Sequence, residues 1–494
     1  MKPFAFLILC GFPLFNAAAQ STYEFLSPKP NARHITINHR IILRQGNKLD
    51  ISSVRKENFS IQGEQSGVHD FEFTLSADEK TLILSPAENF SYSETVTVKA
   101  ANLKRAGDRE LLPGIEFRFE TQREYSAAEK ERFAEAGKKI RSFYADETAA
   151  TASAEADQRD LEDCFEITVN NNPAPGSIFF DTHSSGNILT ACTGYQAITT
   201  GGDSVFFRNV TPYYADFKIN LNGYLSVFND SALMHEVMDS NFVMIDRYSA
   251  ANGYETDLHD FVFTPNGHVL LIALEYQVID MTVFDPSYSP AATVVGTVIQ
   301  ELDAAKNPVF EWRSFDHIEI TEAPHLNLAL GFIDYVHTNS LEVDYDGNII
   351  SSHRHLDQVM KINRSTGEVI WRLGGINNDF TFINETAPFT YQHDARRLSN
   401  GHLTLYDNGN FHSPPRSYTK EYQLDEVNLT AELVWSFFYP DINGVPVFFQ
   451  ATGSAQRLPN GNTFICGGFD TPFLQQPNMF EVTQAGEIVW EITL

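Results

Sequence analysis

The chain has 494 residues, with 35 lysines and arginines against 64 aspartates and glutamates and a formal charge of −29. That imbalance repels phosphate backbones and anionic lipid, which disfavours nucleic acid as a partner, and a content of 43% hydrophobic and 13% aromatic residues argues against a mostly disordered chain. The length predicts two or three domains, and no apolar run reaches the roughly 18 residues needed to span a bilayer.

Residues 1–19 read as a secretory signal. Lys2 supplies the positive charge, Phe4 to Phe15 the apolar stretch, and Ala17-Ala18-Ala19 a small-residue cleavage site before Gln20. Leu9 is too large to precede a lipid-modified Cys10 and the apolar stretch is too short, so an exported protein, periplasmic or extracellular, is expected. Cys164, Cys192 and Cys466 remain. An oxidising compartment permits a Cys164–Cys192 disulfide, leaving Cys466 in a strand. No CxxC or Cys/His zinc spacing occurs, so the cysteines read as structural.

Residues 20–122 carry short alternating segments divided by polar turns: Ile35–Asn38, Phe71–Leu75, Leu82–Leu84, Thr95–Val98 and Ile115–Thr121. They predict a small immunoglobulin-like β-sandwich. Residues 123–163 read as a helix and an acidic linker. Ser126-Ala127-Ala128-Glu129 is a capping box opening a helix to about Tyr144, and 148–163 lack apolar periodicity.

From Cys164 the chain repeats. A turn ending in glycine, then an apolar strand, occurs at Ser185-Gly186, Asn222-Gly223, Asn266-Gly267, Asp346-Gly347, Asn400-Gly401 and Asn460-Gly461. Each is followed by a second hydrophobic, aromatic strand. Those second strands include Val309–Arg313, Val369–Leu373, Leu433–Phe437 and Ile488–Ile492, which hold all four tryptophans, Trp312, Trp371, Trp435 and Trp490, at one matched place. Six such units over 164–494 predict an all-β six-bladed propeller as the catalytic domain.

In a propeller the strand before each glycine turn lines the central channel. Eight residues back from the glycine stand His259, Asn339 and His393, and two further back Asp257, His337 and Tyr391. Strand periodicity predicts one shared side for both sets. The end of the following strand adds His353, Arg354 and His355 in one unit, and Asp407 and Asn408 in the next. Imidazoles, an amide and a guanidinium on one pore mouth suit a tetrahedral oxyanion. Zinc would want carboxylates among its partners and no arginine. Asp260 and Asp394 follow their histidines directly and are expected to point into the blade, so no metal is expected. Stretched segments at Asp285–Gly296 and Ser314–Asp334 are expected to shape an aromatic pocket near Tyr213 and Tyr391.

The strings Leu258-His259-Asp260-Phe261, Tyr335-Val336-His337-Thr338-Asn339-Ser340, Ser352-His353-Arg354-His355, Trp371-Arg372-Leu373-Gly374-Gly375 and Gln392-His393-Asp394-Ala395-Arg396 resemble the bacterial arylsulfate sulfotransferases. The resemblance implies a six-bladed propeller behind a small β-domain. It also implies transfer of a sulfuryl group from a phenolic sulfate ester to another phenol, without 3′-phosphoadenylyl sulfate or any other cofactor, through a transiently sulfated histidine. His393 would be the nucleophile; His337, Asn339 and Arg354 would hold the sulfuryl oxygens. His259 would serve as oxyanion ligand or proton carrier. The sixth-blade site residue falls on Thr452 or Ser454, and Tyr391 faces the substrate. His353 stands where a smaller residue is expected, and Arg372 reads as an inter-blade pair. The expected partners are an aryl sulfate donor and a phenolic acceptor, with a homodimer compatible. The competing reading is a non-catalytic secreted propeller that binds a glycan, peptide or protein; a quinone- or metal-dependent oxidoreductase lacks a redox ligand set.

Overall fold

The computed structural model describes residues 23–142, 164–182, 192–210, 214–470 and 477–493. The expected signal sequence, the 148–163 linker, the Ser185-Gly186 turn and Tyr213 lie outside the described residues. The chain divides into two compact units, one ending at Glu124 and one beginning at Tyr125.

In the first unit, two four-stranded antiparallel sheets enclose one apolar core. One sheet runs Phe25–Ser27, Ile41–Arg44, Thr81–Pro86, Phe71–Leu75; the other Gly67–Val68, Phe59–Gly63, Thr95–Ala100, Ile115–Glu120. Strict alternation decides which side chains turn inward. In Ile115–Glu120 the buried residues are Ile115, Phe117 and Phe119. The expected strand at Ile35–Asn38 reduces to one bridge, Ile35 to Thr121. Left-handed Asn31 and His34 (φ 66° and 58°) turn the chain just before it, and Ile41–Arg44 takes the place in the sheet.

The second unit opens on helix α1, Ala127–Ser142. Its capping box is closed in both directions: Ser126 N donates to Glu129 Oε2 (2.8 Å) and Glu129 N to Ser126 Oγ (3.3 Å). Ala136 and Ile140 pack on Leu274 and Val295. Phe133 stacks on Tyr276, and Arg141 pairs with Asp230 and Glu255.

Besides a two-stranded pair of Phe449–Ala451 and Phe469–Asp470, six sheets of three to five strands follow in chain order, antiparallel but for one parallel edge strand in the third and one in the fifth. Their first strands are Ser177–Thr182, Tyr214–Ile219, Glu255–Phe263, Thr338–Val343, His393–Arg397 and Ser454–Arg457. Each successive pair of these strands packs side by side. The sixth sheet is completed from the start of the unit, where Glu166–Asn170 pairs with the last strand, Ile488–Thr493. Cys164 and Cys192 form a disulfide. Burial pushes the Cys466 thiol up to about 11, so it stays protonated and inert.

Two repeated devices fix one sheet against the next. Gly223, Gly267, Gly347, Gly401 and Gly461 all adopt φ of 80–88°, the left-handed conformation their tight turns require. Three of the four tryptophans on the outer strands send their indole N–H to the next sheet, Trp371 to Glu426, Trp435 to the Gln484 carbonyl and Trp490 to that of Thr200. Trp312 instead stacks on His317, and its indole N–H has no hydrogen-bond partner among the described residues. That reach explains the shared place of the three in the repeat. The stretched segment at Asp285–Gly296 is less irregular than expected. Its end joins the strand Ala292–Leu302, which makes a long hairpin with Val269–Ile279. Ser314–Asp334 runs as short turns and ends in Phe332–Asp334, parallel to Ala292–Leu302.

Candidate active site

The first strands of the second to fifth sheets each carry a bulge. Register shifts fall between Ala215 and Lys218, Thr256 and Phe261, Thr338 and Ser340, and His393 and Arg396. Asp216 and Asp394 are left-handed within two of these bulges (φ 57° and 54°), and His337 and Tyr391 are left-handed just before the fourth- and fifth-sheet strands (φ 52° and 54°). Simple alternation therefore does not bring the two sets of residues to one side, as the period-two reading expected. The bulges re-aim them.

His393 is buried at the head of its strand. Its Nδ1 lies 2.7 Å from Asn408 Oδ1. The Asn408 amide nitrogen donates to the carbonyls of Phe449 and Thr452, both at 2.9 Å, which fixes the amide's orientation. Its oxygen therefore faces the imidazole, Nδ1 carries the proton, and the lone pair resides on Nε2. That nitrogen is buried and has no hydrogen-bond partner. Burial first, then the charge of Arg354, hold His393 well below the ordinary imidazole value, with His259 and His337 acting in the same direction. The ring is a neutral base with an unused lone pair.

Three of the expected site residues, His259, His337 and Asn339, surround it from the third and fourth sheets. His259 sets Nδ1 on Asp257 (2.5 Å), and His337 sets Nδ1 on Asp334 (2.6 Å). The two rings meet edge to face with centroids 4.9 Å apart. They hold their protons differently. Burial disfavours the charge on both, but the carboxylates of Asp257, Asp334 and Asp216, Asp257 foremost, together outweigh it and raise His259, while His337 is driven well below its usual value by burial and by the charges of His259 and Arg354. Asn339 donates to the Gln392 carbonyl (2.7 Å), beside His393, and its buried Oδ1 has no partner.

Arg354 begins a short turn after Ile349–His353. Its guanidinium lies over the Tyr391 ring, 4.0 Å from the centroid. Nη2 donates to the Gln450 carbonyl (3.0 Å) and Nη1 to His355 Nε2 (2.8 Å). Gln450, Phe449 and Thr452 thus carry both Arg354 and, through Asn408, His393 on one short stretch. Eight residues before Gly461 is Gly453, so Thr452 and Ser454 flank the register position. Thr452 is left-handed (φ 57°) and donates its hydroxyl to the Ala451 carbonyl (2.7 Å). Ser454 starts the next strand at the place matching Asp394, opposite Cys466.

The residues one place on in the register tie the sheets together. Asp260 accepts from Leu341 N (2.7 Å), Ser340 Oγ from Ala395 N (3.0 Å), and Asp394 from Ala455 N (2.9 Å). Asp260 and Asp394 also pair with Arg396, and Asp260 with Lys218. His353, the unexpected bulk beside Arg354, turns into its sheet instead of the site. Thr338 and Ser351 each meet one of its nitrogens at 2.8 Å, and burial lowers it to about 3. Arg372 pairs with Glu322 and the His317 carbonyl, as an inter-element contact.

Asp334, His337 and His355 bring three ligand-type atoms within 4.8 Å of one another. The hydrogen bonds count against a cation there. Guanidinium nitrogens only donate, so His355 Nε2 accepts from Arg354 and its Nδ1–H donates to the Asp334 carbonyl at 2.5 Å. The nitrogen facing the carboxylate is protonated and cannot ligate, and Arg354 adds a fixed positive charge beside it.

Sequence reasoning noted Asn408 and His355 only as neighbours and passed over Asp334. Asp334 ends a strand that no repeat predicts, and the Asn408 bond depends on a carbonyl pair 41 and 44 residues away.

Among solved structures, a protein of unknown function from Bacteroides caccae has a TM-score of 0.41 at 14% identity, covering 65% of this chain and 94% of that one. The virginiamycin B lyase of Staphylococcus aureus gives 0.34 at 11% identity, over 67% and 99%. Likenesses this distant carry no argument about the chemistry. No curated protein matches the chain. A scan against protein families matches residues 218–494 to arylsulfotransferase (ASST), over a stretch that holds every site residue described above. With more than half its length so matched, the chain belongs to the arylsulfotransferase family.

Proposed function

We propose that the protein is an exported arylsulfate sulfotransferase that moves a sulfuryl group from a phenolic sulfate ester to a phenolic acceptor through a sulfohistidine at His393, without a nucleotide donor. The observation that carries this reading is the fixed tautomer of His393, with a buried and unpartnered Nε2 among cationic and amide donors.

In the first half-reaction the Nε2 lone pair attacks sulfur and the S–O bond to the aryl oxygen breaks. The departing phenolate takes the proton of His259, whose charge Asp257 sustains. The new N–S bond places positive charge on the ring, and Nδ1–H bears it against Asn408. In the second half a phenol gives its proton to the now neutral His259 and attacks sulfur, and the N–S bond breaks. Sulfuryl transfer resembles phosphoryl transfer in spreading charge over three equatorial oxygens, so positioned donors do most of the work. Arg354 and Asn339 are assigned to those oxygens, and His337 with them as the Nε2–H tautomer, its Nδ1 accepting from an Asp334 carboxyl that burial holds above the usual range. Thr452 is the better sixth-sheet residue of the two, because its carbonyl already holds Asn408.

The six sheets are read as blades of one propeller, closed by Glu166–Asn170, and the first unit as an immunoglobulin-like sandwich that the chemistry does not need. Residues 1–19 would direct export to the periplasm or beyond. A binding propeller would have no use for an imidazole lone pair held ready in this way. Incubation with an aryl sulfate alone should leave a sulfuryl mass increment on the peptide containing His393, and His393→Ala should abolish both increment and transfer. Full activity in His393→Ala would refute the covalent route.

A further inference from the structure

The chemistry assigned to His393 needs a ring-bearing substrate to arrive in a fixed orientation, yet none of the residues assigned above offers an open surface to an aryl ring. Tyr391 is buried, and Arg354 lies over it. One aromatic side chain beside it is different. Phe411, in the loop after Asn408, is 48% exposed, although His325 stacks on it at 3.5 Å between centroids and nearly parallel, at 12°. Tyr391 presses on it edge to face at 4.9 Å. With one face covered and one edge held, the exposure belongs to what remains.

This ring is held in place from both sides. His325 Nε2 meets Asp357 Oδ2 at 2.8 Å, and Asp357 Oδ1 accepts from Tyr391 N at 2.8 Å. A single carboxylate therefore sets the backing imidazole and the Tyr391 backbone together. On the other side, Phe411 N donates to Thr390 Oγ1 (3.2 Å), and the preceding Asn410 donates to the Gln450 carbonyl (3.0 Å), the same oxygen that holds Arg354. Loop, guanidinium and platform thus share one anchor. A large apolar ring kept half in water at this cost in fixed contacts is unusual for a side chain with only a packing role.

We propose that Phe411, backed by His325, is the platform on which the aryl ring of donor and acceptor stacks, so that this residue sets the preference for aryl over alkyl sulfates. The proposal rests on the sulfotransferase reading above. Offset-stacked aromatic pairs add about 0.5–1.5 kcal/mol beyond their buried area, which by the tenfold-per-1.36 kcal/mol relation is about a 2- to 12-fold effect on affinity.

The test compares 2-naphthyl sulfate with hexyl sulfate, which share the sulfate group and differ in the ring, on the full chain. Wild type should favour the naphthyl ester. Phe411→Ala should raise KM for it by about 3- to 10-fold, with the loss in KM more than in kcat, and leave KM for hexyl sulfate within about twofold. Phe411→Leu, which keeps bulk without a π-face, should behave like Phe411→Ala, and Phe411→Trp should restore the preference. In a His393→Ala, Phe411→Trp protein the introduced indole should change its emission on titration with 2-naphthyl sulfate and not with hexyl sulfate. Wild-type turnover with unchanged naphthyl KM in Phe411→Ala and Phe411→Leu would overturn the platform and leave the transfer reaction standing. Failure of wild type to transfer sulfuryl groups from either ester would overturn both.

Discussion

Replacing Asn408 isolates the tautomer argument, because that side chain never touches the transferred group. Asn408→Leu keeps the volume and removes one acceptor from His393 and one donor from two carbonyls. In the resting enzyme the bond to Nδ1–H is between neutral groups, worth about 1 kcal/mol; as Nε2 bonds to sulfur the ring becomes cationic and the same bond strengthens to about 1.5–3 kcal/mol. That difference is about 0.5–2 kcal/mol. Loss of the enforced tautomer and ring orientation adds about 1 kcal/mol, the net value of the neutral bond. A total of about 1.5–3 kcal/mol corresponds to about a 10- to 150-fold fall in kcat/KM. Turnover of a chromogenic aryl sulfate with added phenol measures the rate, and a thermal melt checks that the protein is folded. Stability should fall by about 3 kcal/mol or less, since three bonds of roughly 1 kcal/mol are lost and the Phe449 carbonyl keeps its contact with Ser417. A folded Asn408→Leu protein within threefold of wild type would refute the account of His393.

Three further outcomes follow from the same geometry. His259 is raised above its ordinary value of 6.5 and His393 lowered, so His259 charge, and the stability it lends, are present below 6.5 and lost as pH rises through the raised value, while protonation of His393 begins only well below 6.5. The kcat/KM profile should therefore carry its alkaline limb above 6.5, and Asp257→Asn should move that limb toward acid; a limb unmoved by the substitution would remove His259 as the proton carrier. Arg354→Ala should cost on the order of a hundredfold in kcat/KM, and Arg354→Lys should recover little of it, because an ammonium cannot keep the fork that reaches Gln450 and His355 together; full rescue by lysine would reduce the role to charge alone. Reduction of Cys164–Cys192, with its separation of 28 residues, should cost about 3–4 kcal/mol, read as a lowered Tm in dithiothreitol, and an unchanged Tm would mean that the unfolded chain is already constrained there.

What the residues announced in advance, and what they did not, divides along a physical line. The glycine turns demand a left-handed residue, so counting back from them located His259, Asn339 and His393 on first strands, and the tryptophans marked the outer strands, from which three of the four reach the neighbouring sheet. The reason for convergence was misjudged. Alternation was the expected cause, whereas it is interrupted by bulges at Thr338–Ser340 and His393–Arg396, and a bulge leaves no periodic trace in sequence. Asn408, Asp334 and His325 act through partners between 3 and 44 residues away, in turns that obey no repeat. His353 looked like an intruder only because its side chain could be assigned to the site or to the sheet, and Thr338 and Ser351 decide that choice.

His259, Asn339 and His393 are each followed at once by a residue bonded to the adjacent sheet, Asp260, Ser340 and Asp394 in turn. Drift in the position of one reactive group would have to drag a neighbouring sheet with it, so the chemistry resists piecemeal alteration. Phe411 and His325 sit instead on connecting loops, where sequence can change without loosening any such tie. Substrate range can therefore evolve, or be engineered, at the rim while the reaction itself stays as it is.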